Sequence, residues 1–89
     1  MKVGLYAVLD SASAVYDGPV PSHNDEVAVR NFGNMAKNPQ SAISQNPECF
    51  SLWKVGEWND GDAQVLPLKD GKVCLINAVD LLNKEKLDA

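Results

Sequence analysis

The segment Phe50–Trp58, FSLWKVGEW, constrains the fold more than any other part of the chain. It holds three of the chain's six aromatic residues. Read with a period of two, its even positions are Phe50, Leu52, Lys54, Gly56 and Trp58, and its odd positions are Ser51, Trp53, Val55 and Glu57. Both faces begin apolar and turn polar. Such a strand is buried on both sides at its start, or it meets helices with one face and a partner with the other. Either way it lies inside a sheet. Gly56 is placed to open a bulge that re-aims Trp58. Phe50 and Leu52 are expected to anchor the core, with Trp53 and Val55 on the opposite face. Trp58 stands between Gly56 and an Asp60-Gly61 turn, so it is the ring expected to be most exposed.

The rest of the chain supplies partners for that strand. Val3, Leu5, Ala7 and Leu9 alternate with Lys2, Gly4, Tyr6 and Val8, which predicts a strand. Asp10–Ser13 is a turn of short polar residues, and AVYDGPV returns as a second strand. That strand is expected to end at Asp17-Gly18, because Pro19 and Pro21 cannot donate ladder hydrogen bonds. A helix follows, capped by Ser22 or Asn24, with Asp25 and Glu26 in its first turn and Lys37 in its last. Ala28, Phe32, Met35 and Ala36 form its apolar face, and Asn38-Pro39 ends it. Gly33 inside it points to a close approach or a weak point. Residues 39–48 read as a loop with a turn of helix around Ser41 to Ser44. After the central strand come a short return strand, Gln64–Leu68, and another strand-like run, KVCLI. Asn77 caps a last helix with Asp80 as its capping-box partner, Val79 and Leu82 on its apolar face, and a frayed tail, KEKLDA. The order predicts an α+β fold: a small antiparallel sheet of about four to five short strands, with two helices packed on one face, in a single domain over residues 1–89.

Size and charge narrow the function. A chain of 89 residues buries only ~60–65% of its unfolded surface. Its core is small, and a homodimer is one way to support it. The net charge of −4 argues against a protein held on nucleic acid mainly by phosphate neutralisation, and against binding an acidic membrane surface. It leaves room for single-strand stacking. Cys49, Cys74 and the single His23 form no zinc pattern. The cysteines read as reduced, largely buried thiols. Lys2 and a strand-like run follow Met1 where a signal peptide would carry an apolar stretch, which points to an intracellular chain.

Catalytic chemistry finds little to use. Any triad would need His23 with Asp10, Asp17 or Asp25, and nothing marks a strained nucleophile elbow. Asp60 and Asp62 lack the further oxygen ligands of a calcium loop. Gly-rich phosphate loops are absent. No enzyme, cofactor or metal is expected. The nucleic-acid candidates are Lys2, Tyr6, Arg30, Lys54 and Trp58: rings to stack bases, lysines to meet phosphates, and a guanidinium fork on a helix. Against them, rings on strands are usually core, and Arg30 has Glu26 one turn earlier as an ion-pair partner.

Three ordered motifs are similar to a known family. Tyr6 to Asp10 matches an N-terminal Y-x-x-x-D strand. Asn24, Asp25, Ala28, Arg30 and Phe32 match an N-D-x-x-A-x-R-x-F helix. Phe50, Leu52, Trp53, Val55, Gly56, Glu57, Trp58 and Asn59 match F-x-L-[WY]-x-[VI]-G-E-[WYF]-[ND]. Residues 3–68 thereby resemble the small nonstructural protein of gokushoviruses, single-stranded DNA phages of the Microviridae. The resemblance implies a non-enzymatic accessory protein of the host cytoplasm, with no membrane partner. It would act in viral genome replication, single-stranded DNA synthesis and packaging. Its partners would be single-stranded DNA, or phage or host replication and packaging proteins. The alternative is an interaction module that binds a phage or host protein without touching DNA. A small hydrolase centred on His23 is the weakest option.

Overall fold

The computed structural model describes residues 1–88, with side chains described for residues 1–83. It is an α+β fold. Five strands, β1 (Lys2–Asp10), β2 (Val15–Ser22), β3 (Phe50–Asn59), β4 (Gln64–Pro67) and β5 (Val73–Asn77), form one antiparallel sheet. Three helices, α1 (Asp25–Lys37), α2 (Ala42–Gln45) and α3 (Ala78–Asp88), accompany it. A 3-10 turn, Pro47–Cys49, leads into β3.

β3 is the central strand. It pairs with β1 along its whole length, Lys2 opposite Asn59 and Asp10 opposite Phe50. Its other edge is shared: β5 pairs with residues 51–54 and β4 with residues 56–59. β2 flanks β1 as the outer strand, giving the order β2-β1-β3-β4. β2 runs on past the residue where the sequence predicted its end. Pro19 and Pro21 lie within it, and the β1–β2 register shifts between Tyr6 and Val8. The prolines are tolerated because β2 is an edge strand, with only one ladder to maintain.

The helices cover one face of the sheet. Tyr6 and Leu52 from the sheet, Ala28, Phe32 and Ala36 from α1, Ile43 from α2, and Ala78 and Leu81 from α3 make the core. Phe32 is fully enclosed. Asn24 caps α1, its side chain accepting from the Val27 N–H at 2.9 Å. Ser41 caps α2 by accepting from the Ser44 N–H at 3.1 Å. Asn77 precedes α3 and donates to Asp80 at 3.4 Å. Helix α3 continues through Lys84–Asp88, where the sequence predicted a frayed tail. Met35, predicted on the apolar face of α1, is 44% exposed instead. It lies on the helix flank that faces β2, on an open groove that the short α2 closes only at one end.

Two glycines sit where backbone and helix come close. A Cβ on Gly56 would stand 2.8 Å from the Leu66 carbonyl oxygen of the paired strand. A Cβ on Gly33 would only touch the Leu81 methyls, at 3.4 and 3.5 Å. Opposite outcomes are therefore expected in urea unfolding. Gly56→Ala destabilises the fold by about 1–3 kcal/mol, because a backbone oxygen cannot move aside. Gly33→Ala stabilises it by about 1 kcal/mol, since alanine fits and relieves the helix penalty of glycine.

Candidate functional site

The side of the sheet without helices carries the site. Its content is set by a register shift in β3. Tyr6 pairs with Lys54 and Leu5 with Gly56, so Val55 is an extra residue with no partner on β1. Beyond it, alternation is reversed. Strict alternation would put Trp53 and Glu57 on one face and Trp58 on the other. With the extra residue, Trp53 lies opposite Ala7 and Trp58 opposite Val3, on the face that also carries Leu5 and Leu9. Glu57, opposite Gly4, goes to the helix side. The shift therefore adds a ring to the open face and removes a carboxylate from it.

Around Trp53 the open face is ordered. Its indole Nε1–H donates to the Ser51 hydroxyl at 2.8 Å. Its ring meets Tyr16 of β2 edge to face, with centroids 5.9 Å apart. Tyr16 is two strands away, so the indole spans β1, and the small Ala7 lets it pass. Ala7 and Leu5 are buried although no helix covers them. Lys72, just before β5, holds its ammonium 5.8 Å from the Tyr16 ring and 5.9 Å from the Trp53 ring. Both distances allow a cation–π attraction. Trp58, expected to be the most exposed ring, is half-buried between Val3 and the exposed Val65 of β4, and Tyr16 is the more exposed ring. Cys74, opposite Trp53, is a free thiol on the same face. It is exposed, contrary to the buried thiol that the sequence predicted, because among the described residues no helix packs over this side of β5. Cys49 is half-buried.

The five sequence candidates do not form one surface. Lys2, Tyr6 and Lys54 meet on the helix side, at a cleft of 480 Å³ where α1 begins. Trp58 is on the opposite face. Arg30 is exposed on the outer side of α1, and among the described residues it forms no ion pair, with Glu26 or any other. Tyr6 offers no ring to a base. It is only 4% exposed, and its hydroxyl donates to Asp25 Oδ1 at 2.6 Å. Its ring lies over Gly4, where any Cβ would collide with it. Lys54 reaches the same Asp25 oxygen at 3.9 Å. His23, Glu26 and Glu57 share the cleft, and no serine or cysteine lines it. Asp60 binds the Met1 ammonium at 2.7 Å, and Asp62 accepts from the Gln64 N–H at 3.1 Å. Among the described residues no group of three His, Cys, Asp or Glu side chains is placed to hold a metal. None of the described helices is long and apolar enough to cross a membrane.

The open-face set therefore includes Tyr16, Trp53 and Lys72, which were not among the candidates. Gly56 was the signal for Trp53: a bulge there brings both indoles to one side. Lys72 had no local signal, since it approaches from the loop before β5.

Fold and site define a small two-layer α+β protein whose sheet is helix-covered on one face and ring-bearing on the other. The chain belongs to the Phage ORF5 protein family, which matches residues 3–81. The match takes in β5 and the start of α3, beyond the three motifs. No curated protein and no solved structure matches the chain.

Burial, and next the hydrogen bond and charge of Asp25, raise the Tyr6 phenol well above its ordinary pKa of 10.0. The folded chain thus keeps this proton where the unfolded chain loses it. The stability it contributes is intact below about pH 10 and falls as pH rises beyond. Urea unfolding from about pH 8 to about pH 11 should show a steeper decline for the parent than for Tyr6→Phe. At neutral pH, Tyr6→Phe should cost about 1 kcal/mol for the lost hydrogen bond.

Proposed function

We propose that this phage protein binds single-stranded DNA through the open face of its sheet. One observation carries the reading: Tyr16, Trp53 and Trp58 stand on one helix-free face, with Lys72 beside two of them. Rings on an open sheet stack bases regardless of sequence, and a lysine among them meets the backbone. The protein is then a non-enzymatic accessory factor of a gokushovirus-like phage of the Microviridae. It acts in the host cytoplasm, in genome replication and the supply of single strands for packaging. The family membership and the three motifs support that setting.

The net charge of −4 favours a second reading, in which a phage or host protein docks without DNA contact. Salt separates the two. With few cations at the rings, stacking should leave a shallow salt dependence, because few counterions are released.

Titration with an oligo-dT should quench tryptophan fluorescence, with affinity falling less than about tenfold between about 50 and about 200 mM salt. Trp58→Ala and Tyr16→Ala should each weaken binding by about 1–3 kcal/mol, and Trp58→Phe should restore most of the loss. Oligonucleotide should also protect Cys74, but not Cys49, from alkylation. Absence of quenching at low salt, with a partner protein still captured after nuclease treatment, would establish the second reading instead.

A further inference from the structure

On the helix side, the sheet is wider than its helices. α3 packs on the Gly33 flank of α1, towards β3 and β5. The opposite flank, towards β2, is open along most of its length, and Ala42 and Ile43 of α2 close one end. There Val15 and Val20 of β2 are 58% and 60% exposed, and Met35 of α1 faces them at 44%. Between these walls lies a largely apolar groove of 730 Å³, with Val8 and Phe50 in its floor. It follows α1 from Ala28 to Asn38, about 15 Å at the rise of a helix.

We infer that this groove receives an amphipathic, basic helix of a partner protein. The shape argues for a helix. The floor is a sheet face, one wall is α1 and the short α2 closes one end, so the gap that remains in this layer has room for a further helix beside α1. Charge argues for a basic one. Asp10 and Asp17 are the only charged side chains that line the groove among the described residues. Neither forms an ion pair among those residues. A second copy fits poorly, because a two-fold contact here would set these carboxylates against their own equivalents. The partner helix buries leucine-like side chains against Val15, Val20 and Met35 and points lysines or arginines at the two aspartates. This surface is separate from the ring-bearing face, so one molecule can hold both occupants at once.

A labelled peptide of about 14 residues tests this, with leucines at i, i+3, i+4 and i+7 and lysines on both flanks. Fluorescence anisotropy should show saturable binding to the full chain. The same peptide with every lysine replaced by glutamate should not bind. Met35→Glu and Asp17→Asn should each weaken binding about tenfold or more. Val65→Glu, on the far side of the sheet, should leave it unchanged. Asp17 lies on an exposed edge strand, so its variant keeps the fold, and circular dichroism checks this for both. Equal binding of the glutamate peptide, or parent-like affinity in both groove variants, overturns the inference. So does a dimer in sedimentation that Met35→Glu dissociates, since the second copy would then occupy the groove.

Discussion

One unpartnered residue in β3 decides what the two faces of this protein carry. Val55 has no counterpart on β1, and every side chain after it changes face. Trp58 joins Trp53 on the open side, and Glu57 leaves for the helix side. The shift is held in place by strand pairing on both edges of β3 and by Gly56, which lets the Leu66 carbonyl approach. A sheet with one covered face and one open face is common in α+β folds. Here the open face gains its second indole, and loses its carboxylate, through a single register step.

The covered face is organised differently. Phe32 fills the centre, and Tyr6 reaches past Gly4 to Asp25 at the start of α1. That hydrogen bond ties the first strand to the first helix across 19 residues of sequence. Asp25 serves twice: its charge suits the N-terminal turn of α1, and it accepts the Tyr6 proton. Lys2, Lys54 and His23 gather near it with two further carboxylates, Glu26 and Glu57, so this cleft is a mixed-charge cluster rather than an anion site.

Much of the fold was legible because it rests on local patterns. The alternation in residues 3–9 and 50–58 predicted β1 and β3, and the capping residues placed α1. The prolines of β2 misled because their meaning depends on whether a strand is at an edge, which is a property of the whole sheet. Met35 misled because its helix position is apolar in pattern but lies beyond the edge of the covering layer. The site was legible in part. Trp58 was named for the bulge that moves it, while Tyr6 was chosen for its ring and turned out to spend that ring in the core. Tyr16 and Lys72 approach Trp53 from segments distant in sequence, and no local pattern encodes such a meeting.

The central claim is that the open, ring-bearing face meets the single strand. The most direct measurement is a nitrogen–proton correlation spectrum recorded as an oligo-dT is added. The indole signals of Trp53 and Trp58 should move together with the amides of Val3, Leu5 and Ala7, while Phe32, Ala36 and Met35 stay in place. Indole signals that do not move, or shifts confined to α1 and β2, would contradict it.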